Sequence, residues 1–212
     1  MPPEPQGRRH QALRVLSLKG RQTREAIEQA ARKLFAERGF HGTTLADITS
    51  AAGKSPAVFY RYFDDKEDLL AALAESFLHD IVEPSGVSVS LPDSPDDTEF
   101  FTAVVTGYWN MFKQNIGIMI AVAQLAATQQ RFAHVQNEFR RFGIEIVSAS
   151  VRRAQDQGYG QDLNPEHIAA AIALLFENFT TVFVSSSGLG EISDHDAIVT
   201  LSTIWKKTLY GF

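Results

Sequence analysis

Apolar positions in the first third of the chain recur every three or four residues, the spacing of a helix with one buried face. One such stripe lies between Thr23 and Gly39, and another begins at Asp64 or Asp65. Two short apolar segments, separated by Gly53, lie between the stripes. The pattern predicts four helices, with a tight turn between the second and the third.

The two short segments, residues 44–63, read TLADITSAAGKSPAVFYRYF. Thr44 can cap the second helix, and Gly53 suits a turn that needs positive φ. Ser55 followed by Pro56 is a start signal for the third helix. A helix-turn-helix of this kind presents its second helix to the major groove of DNA. The side chains predicted to face outward are Lys54, Ser55, Pro56, Ala57, Tyr60 and Tyr62.

Lys66 lies near the predicted start of the fourth helix. A cation is unfavourable there, because the N-terminal end of the helix macrodipole is positive. An external anion explains a lysine at this position better. We therefore expect Lys66 to contact a DNA phosphate.

The sequence after residue 98 has helical periodicity and no strand pattern, and it follows a loop rich in Pro and Ser. The chain is therefore predicted to be all-α. The later helices are expected at about 98–114, 118–127, 132–156, 165–185 and 194–210.

Within the N-terminal arm, Arg14, Lys19 and Arg21 are expected to reach DNA. The expected domains are a basic flexible arm at 1–22, a three-helix helix-turn-helix DNA-binding domain at 23–66, and a larger helical ligand-binding and dimerisation domain at 67–212.

The 165–185 helix has almost no polar face, and a helix that is apolar all round must be buried all round. A chain of this size can cover only one side, so we expect a second copy to cover the other. The last helix repeats the pattern more weakly, and two such helices from each subunit make a four-helix interface. The residues expected in this homodimer interface are Ala169, Ile172, Phe176, Ile198, Leu201 and Trp205.

Aromatic side chains recur at helical spacing on several later helices. They indicate either a filled core or an apolar ligand pocket between helices. Glu177 and Asn178 interrupt an apolar helix, so they either orient a ligand or form hydrogen bonds across the dimer. The residues expected to line the pocket are Tyr108, Trp109, Phe112, Phe139, Phe142, Phe176, Asn178 and Phe179.

Residues 23–69 resemble the TetR family of bacterial transcriptional repressors without a gap. The resemblance implies a dimer formed by the last two helices, and phosphate contacts from Thr44, Tyr60 and Lys66. More loosely, the C-terminal part is similar to the ethionamide-response repressor branch, whose members have a long apolar tunnel. The chain departs from the family at Lys54, Pro56 and Ala57, so no operator sequence carries over. The matching residues are Thr23, Ile27, Ala30, Ala31, Phe35, Gly39, Phe40, Thr43, Thr44, Ile48, Ala52, Gly53, Ser55, Tyr60, Tyr62, Phe63, Lys66, Glu67 and Leu69.

Charge is distributed unevenly along the chain. Residues 1–63 contain 11 Lys and Arg against 5 Asp and Glu, whereas residues 64–212 contain 9 against 20. A basic first third on an acidic remainder is typical of a nucleic-acid-binding module.

The chain has no cysteine, and its histidines show no metal-ligand spacing, so we expect no metal, no cofactor and no catalysis. Without an apolar run of about 18 residues or a signal peptide, it is expected to be cytoplasmic and to have no membrane partner.

These features predict a TetR-type transcriptional regulator, a repressor that binds a palindromic double-stranded DNA operator as a homodimer. A small apolar effector is expected to release it. Two alternatives remain open from the sequence. One is a TetR-type DNA-binding regulator without a small-molecule ligand, and the other is an α-helical acyl- or lipid-binding protein with a vestigial DNA module.

Overall fold

The structure, a computed structural model, describes residues 17–82, 91–92, 94–185 and 190–211. Residues 1–16 of the predicted arm, including Arg14, lie outside the described residues. Within the described residues the fold is all-α, as predicted. Its helices are α1 (Leu18–Arg38), α2 (Leu45–Ala51), α3 (Pro56–Phe59), α4 (Lys66–Val82), α5 (Thr98–Gln114), α6 (Ile116–Ala126), α7 (Gln130–Asp156), α8 (Pro165–Val184) and α9 (Asp194–Tyr210).

Capping residues explain where the helices begin. The bounds expected for the fifth and last helices match α5 and α9, whose first turns are capped by Asp97 and Ser193. In contrast, α1 begins five residues before Thr23. The Ser17 hydroxyl accepts a hydrogen bond from Gly20 N at 3.2 Å and starts the helix there. The basic residues Lys19 and Arg21, expected in the arm, therefore lie on α1.

The first hydrophobic core joins the helix-turn-helix to the rest of the protein. It contains Ile27 and Phe35 of α1, Ile48 of α2 and Phe59 of α3. Residues from α4, α6 and the start of α7 complete the same core, among them Leu69, Leu70, Leu73, Ile118, Ala121, Leu125 and Phe132. Displacement of α4 or α6 would therefore act directly on the packing of α1.

The second hydrophobic core lies between α5, α7, α8 and α9. Trp205 of α9 is at its centre, with ring centroids 5.2 Å from Phe101 and 6.1 Å from Phe176. The Trp205 indole Nε1 donates to the Ser150 hydroxyl at 3.1 Å, so its only polar atom is satisfied inside the core.

The residues predicted for the dimer interface instead face their own subunit. Five of the six are buried in the second core, and Ile198 is half-buried against it, because α5 and α7 cover that face of α8 and α9. The buried five are Ala169, Ile172, Phe176, Leu201 and Trp205. On the outer face of α8, Leu174 and Leu175 are 41% and 39% exposed, and Val199 of α9 is 46% exposed. The exposed apolar surface expected on α8 is present, but on a different stripe.

Helix α8 is also long and apolar enough to cross a membrane by length and composition alone, although the sequence analysis found no such run. A core helix of a soluble protein passes the same test. One face of α8 packs on α7, and its Glu177 is paired with Arg140 of that helix. These contacts agree with a helix that packs on other protein segments.

Candidate DNA-contact surface and ligand cavity

Helix α2 begins with a reciprocal pair of hydrogen bonds between Thr44 and Asp47. Thr44 Oγ1 accepts from Asp47 N at 3.1 Å, and Thr44 N donates to Asp47 Oδ2 at 2.9 Å. Hydrogen bonds from Thr44 lower the pKa of the Asp47 carboxyl, and the nearby Arg38 charge lowers it further. Thr44 is exposed, so it combines this capping role with access to an external group.

The turn and the short helix α3 follow the predicted pattern. Gly53 has φ +63°, a conformation that glycine adopts without strain. Ser55 Oγ accepts from Val58 N at 3.4 Å to cap α3, while Phe59 is fully buried beneath it. This anchor leaves Ser55, Pro56 and Ala57 exposed and Lys54 partly exposed at the start of the helix.

The two tyrosines after α3 differ in exposure. Tyr60 is 58% exposed, and its ring contacts Phe59 edge-on at 5.7 Å. Tyr62 was also predicted to face outward, but it is half-buried against the first core. Its apolar ring therefore has a packing role within the domain.

The Lys66 ammonium group is held by two backbone carbonyls. Its Nζ donates to Phe40 O and to Thr43 O, both at 2.7 Å, and lies 4.2 Å from the centroid of the Phe40 ring. Partial burial lowers the pKa of Lys66, and the neighbouring Glu67 charge opposes that shift. These bonds give a local reason for a lysine at the start of α4, where the sequence had indicated only an external phosphate.

A cavity of about 220 Å³ lies between α4, α5, α6, α7 and α8, with Trp205 of α9 at its wall. Five of the predicted pocket residues line it: Tyr108, Phe112, Phe139, Phe142 and Phe176. Most of the remaining wall is aliphatic, sulfur-containing or aromatic, contributed by Phe77, Ile81, Val104, Val105, Met111, Met119, Val122, Ala123, Ile146, Val147 and Ala173.

Three predicted pocket residues do not line this cavity. Trp109 is turned toward α9, where its indole Nε1 donates to Asp194 Oδ1 at 2.9 Å. Asn178 is exposed on α8 and donates from Nδ2 to Leu174 O at 2.9 Å. Phe179 packs against Phe183, with ring centroids 4.6 Å apart. Helical spacing identified these residues as apolar or unusual, but not the direction in which each one points.

The charged part of the cavity wall was only partly predicted. Glu177 accepts from Arg140 twice, from Nε at 2.7 Å and from Nη2 at 2.9 Å, and from Gln136 Nε2 at 3.1 Å. The hydrogen bonds to Glu177 raise the pKa of the Arg140 guanidinium. Glu177 was expected to orient a ligand or to form hydrogen bonds across the dimer, but its carboxylate is satisfied within its own subunit. Gln136 and Arg140 lie four residues apart on α7, beside its apolar stripe. This spacing is the sequence signal for the site.

Two hydroxyl groups beside the cavity lack a hydrogen bond of acceptable geometry. They belong to Tyr108 of α5 and to Thr180 of α8, and both oxygen atoms are buried. Burial raises the pKa of the Tyr108 phenol, an effect that interaction with Thr180 opposes and the Glu177 charge reinforces. The two hydroxyls lie next to each other, and only Tyr108 is a lining residue of the cavity, so its phenol is the hydroxyl within reach of a bound molecule.

Helices α4 and α6 connect the cavity to the helix-turn-helix. Phe77 of α4 and Met119 of α6 line the cavity, while other residues of both helices pack in the first core. At the start of α6, Gly117 lies against the end of α1, where an added Cβ would be 2.5 Å from Ala36 N. Arg32 Nη1 of α1 donates to Asn115 Oδ1 at 2.9 Å beside this contact.

No cluster of three or more His, Asp or Glu side chains capable of holding a metal ion occurs among the described residues.

Comparisons with known proteins agree with this arrangement. The family model for bacterial regulatory proteins of the tetR family matches residues 27–73. The HTH-type transcriptional repressor KstR2 of Rhodococcus jostii is 31% identical over 154 residues, which cover 69% of this chain and 72% of KstR2. The HTH-type transcriptional regulator EthR of Mycobacterium tuberculosis is 28% identical over 192 residues, 88% of this chain and 86% of EthR.

Solved structures share the fold. The transcriptional regulator FadR from Bacillus subtilis, solved in complex with stearoyl-CoA, superposes with a TM-score of 0.63 at 18% identity, over 89% of this chain and 98% of FadR. The fatty acid degradation regulator FadR from Bacillus halodurans superposes with a TM-score of 0.67 at 19% identity, over 90% and 96% of the two chains. Together with the helix-turn-helix and the KstR2 match, these comparisons show that the chain belongs to the TetR family of transcriptional regulators.

Proposed function

We propose that this regulator is a cytoplasmic repressor that binds a palindromic operator as a homodimer and is released by a small apolar effector. The observation that carries the proposal is the double role of α4 and α6. Both helices line the cavity and also pack in the core that holds α1, α2 and α3. A ligand in the cavity therefore touches the helices on which the DNA-binding unit rests.

In the proposed complex, the start of α3 enters the major groove. Lys54, Ser55, Pro56 and Ala57 lie nearest the base edges, since three are exposed and Lys54 is partly so. Thr44 and Tyr60 contact phosphates on either side, supported by their exposure at the ends of the helix-turn-helix. Tyr62 and Lys66 hold the domain together from behind, and any contact that Lys66 makes with phosphate uses only the hydrogen left by its two carbonyl bonds.

The proposed dimer forms through the outer faces of α8 and α9. Leu174 and Leu175 are more than one-third exposed, on a helix whose opposite face is buried in the second core. Covering these side chains with the same surface of a second copy removes apolar area from water. A two-fold dimer also places two recognition helices about one DNA turn, or a multiple of it, apart.

Release follows from differential binding of the effector. A ligand shifts a conformational equilibrium only if it binds one state more tightly than the other. We infer that the effector fits best when α4 and α6 have moved relative to α1. In that state the two recognition helices no longer match successive major grooves.

The test begins with a DNA sequence selected from a random pool by the purified protein. Binding to this operator is measured by fluorescence anisotropy with and without a panel of acyl-CoA, fatty-acid, medium-chain alcohol and steroid compounds. Selection of a palindrome and its release by at least one compound support the proposal. Failure to select any sequence favours the lipid-binding protein with a vestigial DNA module, whereas selection without release by any compound favours a regulator that has no small-molecule ligand.

A further inference from the structure

The cavity contains a cation whose charge is already matched. Arg140 presents two N–H groups of one edge to the two oxygens of Glu177, and Gln136 donates a third hydrogen bond to the same carboxylate. The side chains of Arg140 and Glu177 are 35% and 22% exposed, so water screens the pair only in part. Among the described lining residues, Arg140 is the only cation.

This arrangement disfavours acidic ligands. An ionised carboxylate that enters the cavity brings a second negative charge to a wall with one cation, whether it shares Arg140 with Glu177 or displaces Glu177 from it. In either case one negative charge on this partly buried wall is unmatched, which is unfavourable. The ion pair of Arg140 and Glu177 on a mostly apolar wall therefore disfavours the binding of anionic ligands and also stabilises the fold.

The unsatisfied hydroxyls indicate what the cavity accepts. The Tyr108 phenol can donate a hydrogen bond, and the Thr180 hydroxyl beside it can donate or accept one. A ligand oxygen that carries no charge accepts a hydrogen bond from the Tyr108 phenol without disturbing Glu177. The rest of the ligand then meets apolar side chains from α4, α5, α6 and α7.

We propose that Glu177 sets the ligand class of the cavity: by holding Arg140 it excludes acids, and the cavity takes an uncharged amphiphile whose single oxygen pairs with Tyr108. This inference rests on the proposed function, because it identifies the effector by class. The cavity of about 220 Å³ is larger than the ~150 Å³ cavity that holds benzene, so the part of the ligand inside it has roughly nine non-hydrogen atoms.

The first experiment compares 1-nonanol with octanoate, which have the same number of non-hydrogen atoms but differ in charge at neutral pH. Binding is followed by calorimetry and by tryptophan fluorescence, which reports on the cavity through Trp205 at its wall. We expect 1-nonanol to bind at least about tenfold more tightly, because the buried charge of octanoate is unpaired. Equal or tighter binding of octanoate overturns the inference and leaves the proposed function standing.

Substitutions assign the effect to named residues. Glu177→Gln frees Arg140, so octanoate should gain about tenfold or more in affinity while 1-nonanol changes little. Tyr108→Phe should weaken 1-nonanol by about three- to tenfold and leave octanoate unchanged. The double variant Arg140→Gln with Glu177→Gln keeps the site uncharged and should gain nothing for octanoate, which separates the charge effect from a general loosening of the fold. A gain for octanoate in the double variant contradicts the role of Arg140.

The operator provides the last distinction. If neither probe binds but a fatty acid or acyl-CoA of the panel releases the operator, the ligand class is wrong and the proposed function survives. If no compound releases a selected operator, the effector part of the proposed function fails together with the inference.

Discussion

At the scale of single residues, Lys66 shows how one side chain stabilises a turn. Its ammonium group donates hydrogen bonds to the carbonyls of Phe40 and Thr43, which both lie in the link between α1 and α2. We expect Lys66→Ala to lower the free energy of unfolding by about 1–3 kcal/mol, since both carbonyls lose a charged donor. Thermal unfolding measures this loss.

Lys54→Ala is the matched control for Lys66→Ala, since it removes a second lysine of the same domain. It should change stability by no more than about 0.5 kcal/mol while weakening operator binding. If Lys66→Ala instead leaves stability unchanged and reduces the salt dependence of DNA binding by about one unit, Lys66 is a phosphate contact and its carbonyl bonds are dispensable.

Sequence patterns predicted residue types better than residue directions. Ser55, Pro56 and Ala57 are exposed as predicted, because a capping motif fixes their place on α3. Trp109 was expected in the pocket, but its indole N–H pairs with Asp194, which is 85 residues away in the sequence. Such long-range polar partners leave no local pattern in a single sequence.

At the scale of helices, α8 has two apolar faces, and only the fold decides which one remains exposed. We expect Leu175→Glu to break the proposed dimer, because an unpaired carboxylate at an apolar interface costs several kcal/mol. A loss of about 4 kcal/mol raises the dimer dissociation constant roughly a thousandfold. Sedimentation at several protein concentrations measures it, with circular dichroism as the check that the monomer stays helical.

Ile172→Glu is the contrasting variant on the same helix. Ile172 is buried in the second core, so its replacement should destabilise the fold itself and not only the association. If Leu175→Glu stays dimeric and continues to bind the operator, the exposed face of α8 is not the interface. The apolar composition of α8 made an exposed apolar face predictable, but the side could not be chosen before α5 and α7 were seen to cover the other face.

The start of α9 is fixed to α5 through a carboxylate. Hydrogen bonds from Lys113, then from Trp109, lower the pKa of Asp194 below its ordinary 3.8. A carboxyl group with a lowered folded pKa stabilises the protein above pH 3.8, and this contribution is lost as the pH falls through the folded value. We expect Asp194→Asn to be less stable than the parent protein at neutral pH, and the difference to shrink in acid.

Melting temperatures of the parent protein and of Asp194→Asn, measured from neutral pH to below pH 3.8, test this prediction. A difference that stays constant over the whole range would mean that the charge of Asp194 does not stabilise the contact between α5 and α9.

At the scale of the whole molecule, the cavity and the DNA-binding unit share two helices. At Gly117 of α6, an added Cβ would lie 2.5 Å from both Phe35 C and Ala36 N of α1. Since both atoms belong to the backbone, Gly117→Ala must shift α6 against α1. We expect a loss of about 1–3 kcal/mol in stability and a changed operator affinity.

Gly107→Ala provides the control for Gly117→Ala, because a Cβ there meets nothing within 4 Å on the exposed side of α5. Replacing a helical glycine at an open position should stabilise the protein by roughly 0.5–1 kcal/mol and leave DNA binding unchanged. Equal behaviour of the two variants would show that the contact between α6 and α1 carries no coupling. The all-α fold was predictable from periodicity, whereas this contact depends on the packing of helices that are distant in sequence.

In the proposed mechanism, ligand binding in the cavity releases a DNA-bound dimer. The most direct measurement is the anisotropy of a labelled operator duplex titrated with protein, first alone and then with saturating 1-nonanol. We expect two protomers per palindromic site and an operator affinity at least about tenfold weaker with ligand, equivalent to ~1.4 kcal/mol of coupling. An operator affinity unchanged by a ligand that calorimetry shows to be bound would contradict release by a ligand in the cavity.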